Sequence, residues 1–204
     1  MSGFSTARQK MVDGQVRTYD VTDTRIIDAM LAVPREAFVP AMQRSLAYLD
    51  LDLDVSDGGP VKRYLIKPAV TAKLLQAAEI GDTDNVLVVG CATGYVAALA
   101  ERARDILGQL GVGNVVVKAA AAADGDSPNR PYDVIVLNGA TEVAPTGLYR
   151  QLKEGGRLVG VFALAKPARA SLVTHSHDDF GNRALFDAAA PVLPGLERLP
   201  AFVF

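Results

Sequence analysis

The sequence is poor in the residues that form disulfides, redox centres and metal sites. Its 204 residues include one cysteine, two histidines and no tryptophan. The lone cysteine, Cys91, excludes a disulfide framework within the chain. No apolar run reaches the roughly 20 residues of a membrane-spanning helix, and the first ten residues, MSGFSTARQK, lack the apolar core of a signal peptide. These absences predict a cytoplasmic protein that does not enter a membrane.

An excess of charge of either sign is also lacking. The formal net charge is −2 with a pI near 5.7, and lysine and arginine are scattered, so the sequence predicts no nucleic-acid or membrane-surface partner. What is present is a hydrophobic fraction of 50% with 18 glycines and 11 prolines, which is typical of a globular protein. We predict a single domain over residues 1–204, with a helical region at 1–80 and a sheet core at 81–204.

Helical spacing dominates the first 80 residues. Thr22 or Asp23 is placed to cap a helix that ends before Pro34, because the residue before a proline disfavours the helical conformation. A further helix, PAVTAKLLQAAE, is predicted from Pro68 to Glu79, with Gly81 as its stop.

The rest of the sequence contains short apolar runs that are too uniformly hydrophobic to have a wet face. Such runs are typical of strands in a parallel sheet that is covered on both sides. They are Val86–Gly90, Val115–Val117, Val134–Leu137 and Leu158–Val161.

Helical stretches separate these runs, and the tail has a different character. Helices are predicted from Tyr95 to about Leu110 and over Pro145–Leu152, the second ending at Gly155–Gly156. The tail predicts a strand from Ser171, a turn around Asp178–Asn182 and a last strand Ala201–Phe204. Together these elements predict an α/β fold with a doubly wound, mostly parallel, Rossmann-like sheet and an antiparallel edge.

The stretch VLVVGCATGY, residues 86–95, is the first candidate for a binding site. A glycine turn after the first strand of such a sheet lets backbone N–H groups and the next helix approach a ligand closely. The same turn also occurs as a plain strand-to-helix connection, and one glycine-rich match does not separate the two readings. Taken alone, the loop also allows a nicotinamide-dependent dehydrogenase.

Several stretches together resemble the protein-L-isoaspartate O-methyltransferase family. They are MVDGQVRTYDVTDTRIIDAMLAVPREAFVP, then AYLD, VLVVGCATGY, PYDVIVLNGA and LYRQLKEGGRLVGV, in that order. VPREAFVP is specific to the family, whereas the later motifs are shared among S-adenosylmethionine-dependent methyltransferases. The resemblance implies a methyltransferase-type sheet with S-adenosylmethionine at its carboxyl edge. It also implies methylation of isoaspartyl carboxylates in damaged peptides and proteins, a step of protein repair, and it argues against a dehydrogenase.

The resemblance also assigns site residues. It implies cofactor contacts from Gly90, Cys91, Ala92, Thr93 and Gly94 of the glycine loop and from Asp124. Asn138 and Gly139 are predicted as further cofactor contacts because they follow the strand Val134–Leu137, at the sheet edge where ligands bind in such folds. Ile66 stands at the position where the family has a serine beside the isoaspartyl carboxylate, and Arg63 or Lys67 is placed to supply a replacement charge. Methyl transfer from a sulfonium to a carboxylate depends on alignment and exclusion of water, so no nucleophile–base pair is expected.

The chain departs from the family pattern around the cofactor. The family's acidic loop position is Val88, and its middle loop glycine is Ala92. A strand and most of a helix, roughly twenty residues, are missing after the loop, so the predicted sheet is one strand short. Lys118 then stands where an acidic residue would bind the ribose. The family's Gly-Asp-Gly aspartate falls on Ala121, unless the register slides to Asp124.

These departures predict weakened or lost cofactor binding. Loss of one charge-assisted hydrogen bond to the ribose weakens affinity roughly ten- to over a hundredfold, although Lys118 allows the alternative of a phosphorylated nucleotide. Because Ile66 lacks a hydroxyl, activity on isoaspartyl groups is also in doubt. The alternative is a catalytically degenerate protein that kept the fold and binds a partner or another ligand.

One small cluster has the residue types of a metal site. His175 and His177 precede Asp178 and Asp179, but the sequence places no third ligand with the two histidines. We therefore predict no metal.

Overall fold

The computed structural model describes residues 3–56, 58–100, 121–177 and 179–199. Its first part is mainly helical and contains α1 (Gly3–Met11), α2 (Thr24–Ala32) and α3 (Pro68–Ala78). Shorter helical turns follow α1 and α2, at Val12–Val16, Arg17–Tyr19, Arg35–Phe38 and Ala41–Leu46. Between these turns and α3, β1 (Leu53–Asp54) pairs antiparallel with β2 (Tyr64–Leu65). Within the described residues, no helix has the length and apolar character needed to cross a bilayer.

Helix α2 begins and ends where the sequence predicts. The Asp23 carboxylate accepts the backbone N–H of Arg25 at 2.9 Å, which is the hydrogen bond of a helix N-cap. At the other end, Val33 is extended before Pro34, and the helix stops at Ala32.

Helix α3 begins at Pro68 as predicted and ends one residue before the predicted last residue, Glu79. Its last residue is Ala78, and Glu79 has the left-handed conformation with φ 48°. The guanidinium of Arg157 donates to the carbonyl oxygens of Ala78 and Glu79. These bonds satisfy carbonyl groups that have no partner inside the helix. A side chain from a distant strand therefore caps the carboxyl end of α3.

The main sheet contains five described strands in the order β3-β4-β5-β6-β7. They are β3 (Val86–Val89), β4 (Tyr132–Thr141), β5 (Leu152–Phe162), β6 (Arg169–Ser176) and β7 (Asp179–Asp187). β3, β4 and β5 are parallel, whereas β6 is antiparallel to both of its neighbours. Four of these five strands therefore run in one direction, which confirms the mostly parallel sheet with an antiparallel edge.

Two helices connect strands of this sheet, α4 at residues 95–100 and α5 at Thr146–Tyr149. The predicted helix over 145–152 is wrong in length, because Leu152 already belongs to β5. Gly155 and Gly156, predicted to end that helix, lie inside β5. There the register jumps from the pair Tyr132–Leu152 to the pair Val134–Arg157. The glycines form a bulge in the strand, where Gly155 has a φ of 74°.

The tail also differs in detail from its prediction. β6 begins at Arg169, the chain reverses at His177, which has a φ of 52°, and β7 starts at Asp179. The predicted turn around Asp178–Asn182 is therefore too long. The predicted strands Val115–Val117 and Ala201–Phe204, the missing strand and Lys118 all lie outside the described residues.

Alternate residues of the central strands pack on opposite faces of the sheet. On one face, Val134 and Val136 of β4 share a buried cluster with residues of α1, α2 and α3. On the other face, Ile135 and Leu137 pack with Leu148 of α5. The central strands are thus covered on both sides, as their uniform hydrophobicity predicts.

Candidate functional site

The glycine loop lies directly after β3, at the carboxyl edge of the parallel strands. Gly90, Ala92 and Gly94 all have left-handed backbone conformations, with φ of 71°, 49° and 93°. An L-residue in this conformation costs about 1–2 kcal/mol, which explains why a glycine is expected at position 92. Ala92 therefore keeps the loop shape at some cost in stability. The loop leads straight into α4, where Ala98 N–H donates to the Gly94 carbonyl at 2.9 Å.

Cys91 lies within this loop with a largely buried thiol. Burial raises the pKa of Cys91, and hydrogen bonds from the backbone N–H groups of Ala97 and Gly94 only partly oppose that rise. A thiol with a raised pKa is mostly protonated at neutral pH and is a poor nucleophile. Cys91 therefore acts as a small loop residue that helps to begin α4.

Asn138 joins the glycine loop to the segment that contains Ile66. Its side chain is 2% exposed, and Nδ2 donates to the Gly90 carbonyl at 2.8 Å and to the Tyr64 carbonyl at 3.3 Å. Its Oδ1 is buried with no hydrogen-bond partner in the described part of the chain. One amide thus ties together the carboxyl ends of β3 and β4 and the strand β2.

Leu193 is a site residue that sequence analysis did not identify. The segment after β7 returns to β4, where Ala140 N–H donates to the Pro191 carbonyl and Leu193 N–H donates to the Ala140 carbonyl, both at 2.8 Å. A Cβ built on Gly90 would lie 2.2 Å from Leu193 Cδ2, and one built on Gly139 would lie 2.8 Å from the same atom. The Leu193 side chain therefore covers both glycines. No local signal in PVLPGL points to this contact.

Ile66 is fully buried beside Asn138. The two residues line one small apolar cleft together with Thr71, Leu74, Val96, Val136 and Leu137. The Thr71 hydroxyl in this cleft has no hydrogen-bond partner among the described residues. Of the two charged neighbours proposed as replacements, Arg63 is exposed and Lys67 is half-buried.

Asp124 lies away from this group of residues. Its carbonyl accepts the side-chain N–H of Gln151 at 2.7 Å, and the Gln151 carbonyl accepts the N–H of Tyr132 at the amino end of β4. Gly90 and Asn138 lie near the other end of the strands. The structure therefore brings together the glycine loop, Asn138, Gly139 and Ile66, but it does not bring Asp124 to them.

Among the described residues, His175 and His177 do not share a cluster of metal ligands. The His175 ring stacks on Phe180 with 4.8 Å between centroids, and its Nδ1 lies 3.2 Å from the Leu152 carbonyl oxygen. The part of the chain that the structure describes contains no group of three histidine, cysteine or acidic side chains that could hold a metal.

Comparisons with known proteins place this arrangement in a family. The sequence profile of the protein-L-isoaspartate(D-aspartate) O-methyltransferase family matches residues 6–103 and 96–179. The protein-L-isoaspartate O-methyltransferase of Koribacter versatilis is 35% identical, and the match covers 78% of this chain and 78% of that protein.

Solved structures support the same fold. One protein-L-isoaspartate O-methyltransferase superposes with a TM-score of 0.76 at 25% identity, over 93% of this chain and 67% of the other. A putative protein-L-isoaspartate O-methyltransferase from Plasmodium falciparum, in complex with S-adenosyl-L-homocysteine, gives a TM-score of 0.71 over 95% of this chain and 99% of its own. At 14% identity, the second match speaks for the fold alone. The profile match and the sequence relative show that this chain belongs to the protein-L-isoaspartate(D-aspartate) O-methyltransferase family.

Proposed function

We propose that this chain transfers the methyl group of S-adenosylmethionine to isoaspartyl carboxylates in peptides and proteins. The observation that carries the proposal is the backbone of the glycine loop. Three left-handed residues, Gly90, Ala92 and Gly94, direct the chain from β3 into α4 at the carboxyl edge of the parallel strands. This is where folds of this class bind nucleotide cofactors through backbone N–H groups.

The residues at this edge fit a polar cofactor. Oδ1 of Asn138 is a buried acceptor without a partner in the described chain, and a Cβ on Gly94 would have only Phe38 as near as 4.0 Å. We assign the cofactor to the loop Gly90–Gly94 with Asn138 and Gly139. When bound, S-adenosylmethionine supplies an electrophilic methyl group on a sulfonium sulfur. Leu193 packs over Gly90 and Gly139. A bound cofactor would therefore contact or displace the Leu193 side chain.

In this reaction the protein orients the carboxylate toward the methyl group and excludes water. An ionised carboxylate is already a nucleophile, so no general base is needed. Ile66 and Val96 belong to the apolar lining of the cleft, and such a lining would exclude water from an acceptor bound beside it. The nearest hydroxyl in that cleft belongs to Thr71, one turn into α3. We assign Thr71 Oγ1 as the donor that takes the place of the serine hydroxyl lost at Ile66.

Cofactor affinity is expected to be lower than in relatives with an acidic residue at position 88. Titration calorimetry with S-adenosylmethionine measures this directly, and transfer of a labelled methyl group to an isoaspartyl peptide, with the normal aspartyl peptide as control, measures the reaction. Micromolar binding with transfer to the isoaspartyl peptide alone is the expected result. No binding at millimolar cofactor would instead support the degenerate protein that binds another ligand or partner.

The first variant for this site is Gly94→Ala. The added methyl has space, but the φ of 93° strains an alanine by about 1–2 kcal/mol, so the loop should relax away from its cofactor-binding shape. We expect cofactor affinity to fall roughly tenfold, measured by calorimetry.

Gly155→Ala is the matched control, because Gly155 has a φ of 74° and its Cβ would meet nothing within 4 Å, whereas a Cβ on Gly94 would meet only Phe38, at 4.0 Å. It lies in the β5 bulge, remote from the loop. If both variants lose the same stability but only Gly94→Ala loses cofactor affinity, the result supports the assignment of the glycine loop to the cofactor site. Equal cofactor affinity in the two variants would remove the loop from the site.

Ile66→Ser is expected to give no gain in methyl transfer. The Ile66 side chain is 1% exposed, so serine would leave a cavity and a buried hydroxyl, at a cost of about 2–5 kcal/mol. The free energy of unfolding and the transfer rate should be measured together. A faster transfer rate in the variant would show that the lost serine hydroxyl, and not the altered cofactor region, limits the reaction.

A further inference from the structure

Arg35 is a buried cation of the N-terminal helical region. It lies in the helical turn Arg35–Phe38 of the VPREAFVP stretch and is 0% exposed. Among the described residues no acidic group reaches ion-pair distance of its guanidinium. Burial lowers the pKa of Arg35 more than the Coulombic effects of Tyr95, Tyr48 and Asp52 raise it. Burying a charge without an opposite charge is unfavourable, and an apolar side chain of similar volume is often as stable or more stable at such a place.

The contacts of Arg35 join the two halves of the candidate site. Nη2 donates to the carbonyl of Ile66 at 2.7 Å, and Nε donates to the carbonyl of Ala47 at 2.8 Å. Its Cζ lies 4.9 Å from the centre of the Tyr95 ring, within the range of a cation–π contact. Tyr95 directly follows Gly94. One guanidinium therefore holds the segment of Ile66 and the end of the glycine loop at the same time.

The same turn supports the loop through a second aromatic contact. The Phe38 ring lies edge-on to the Tyr95 ring, with 5.5 Å between centroids, and Phe38 is also the nearest side chain to Gly94. The turn is thus packed against the point where the loop becomes α4. Movement of either segment would have to break a contact made by this turn.

We propose that Arg35 is a positioning residue that fixes the distance between the substrate segment at Ile66 and the cofactor loop at Gly94–Tyr95. It touches neither reactant and acts through the Ile66 carbonyl and the Tyr95 ring. The identities of the substrate and the cofactor in this proposal rest on the proposed methyltransferase function. The coupling of the two segments through Arg35 does not depend on that function. Its planar fork holds two carbonyl groups in fixed directions, which a lysine ammonium cannot do with the same geometry.

Arg35→Met is the variant that tests this role. It keeps most of the side-chain volume and removes the charge and the hydrogen bonds to both carbonyls. We expect the KM for an isoaspartyl peptide and the Kd for S-adenosylmethionine each to rise about tenfold, the effect of one hydrogen bond from a charged donor, with kcat changed much less. Arg35→Lys retains the charge and one donor, so both constants should lie between those of the wild type and the methionine variant.

Arg157→Met is the matched control. Arg157 also donates to two backbone carbonyls, at the end of α3, and has no contact with the loop or with Ile66 among the described residues. It should lower the melting temperature and leave KM and Kd unchanged. Equal kinetic constants in Arg35→Met and Arg157→Met, with a loss of stability in both, would reduce Arg35 to a structural residue.

Amide hydrogen exchange separates failure of this inference from failure of the proposed function. If the wild-type chain neither binds the cofactor nor transfers methyl groups, the proposed function fails. Amide hydrogen exchange still tests whether Arg35 couples the two segments. We expect faster exchange in Arg35→Met at residues 64–67 and at 94–98 together, and at neither in Arg157→Met. Unchanged exchange, or faster exchange in only one of the two segments, would overturn the coupling.

Discussion

Replacing Gly90 by alanine should lower the free energy of unfolding by about 2–5 kcal/mol, measured by urea denaturation. Two causes add up. The φ of 71° strains an L-residue by about 1–2 kcal/mol. The new methyl carbon would also lie 2.2 Å from Leu193 Cδ2, and overpacking of this kind costs typically about 1–3 kcal/mol. The effect arises where β3, β4 and the segment after β7 meet, so the cofactor site should be lost with it.

Two further variants separate the causes. Gly58 has a φ of 76° with nothing within 4 Å of its Cβ position, so Gly58→Ala measures the backbone strain alone. Leu193→Ala removes the side chain that the new methyl meets. In a double-mutant cycle the two changes at Gly90 and Leu193 should cost less together than the sum of each alone, by about 1–3 kcal/mol. Additive effects would mean that Leu193 moves aside freely and does not cover the loop.

Parts of the fold that depend on neighbouring residues could be predicted from the sequence. Asp23 caps α2 through a hydrogen bond to a residue two positions away, and Pro34 ends the same helix through a clash with the residue before it. The β3 and β4 strands are predicted from their uninterrupted apolar residues, a pattern typical of strands that are covered on both faces. β4 is buried on both faces, whereas among the described residues of β3 only Val89 is fully buried. The glycine loop is predicted from its glycine pattern and the family resemblance, and Asn138 from its place at the end of a strand; the structure places the two side by side.

Other parts depend on contacts between distant segments, which a local pattern does not contain. The carbonyl of Ala78 at the end of α3 is capped by Arg157, 79 positions away. Gly155 and Gly156 suit both the end of a helix and a strand bulge. A Cβ on Gly156 would lie 2.8 Å from the Tyr132 carbonyl oxygen, so pairing with β4 is the contact that requires glycine there.

The candidate site shows the same division. In the sequence, Ile66 stands out because it lacks the hydroxyl of the family's serine. In the structure, its backbone carbonyl accepts a hydrogen bond from Arg35. Leu193 and Arg35 were not predicted as site residues, because an ordinary leucine in a proline-rich tail and an arginine in a helical turn have no distinctive spacing. A site held together by a tail segment and a buried guanidinium becomes visible only when the packed structure is known.

Asn138→Asp should be among the most damaging substitutions in this protein at neutral pH, with a loss of about 3–5 kcal/mol in the free energy of unfolding. The change is isosteric, so it creates neither a cavity nor a clash. It replaces the amide that donates to the Gly90 and Tyr64 carbonyls by a carboxylate that can only accept. A buried negative charge would then face two carbonyl oxygens.

The loss should depend on pH, and its sign follows from the pKa of the introduced carboxyl. Burial beside two carbonyl oxygens raises its pKa in the folded state above the value of about 3.9 in the unfolded chain. The protonated acid can donate to the Gly90 carbonyl, so the variant is best tolerated below pH 4. Stability relative to the wild type is then lost as pH rises through the raised folded pKa. Urea denaturation of both proteins at pH 4.5 and 7.5 should show the larger difference at pH 7.5.

Asn85→Asp is the matched control for this prediction. The Asn85 amide also donates to two backbone carbonyls, those of Asn129 and Pro131, at 3.1 and 3.0 Å, but the residue is exposed to solvent. Water can solvate a carboxylate there, so the loss should be small and nearly independent of pH. If Asn138→Asp behaves like Asn85→Asp at both pH values, the Asn138 side chain is hydrated. In that case the amide does not tie the glycine loop to β2, and the cofactor loop is held by Arg35 and Leu193 alone.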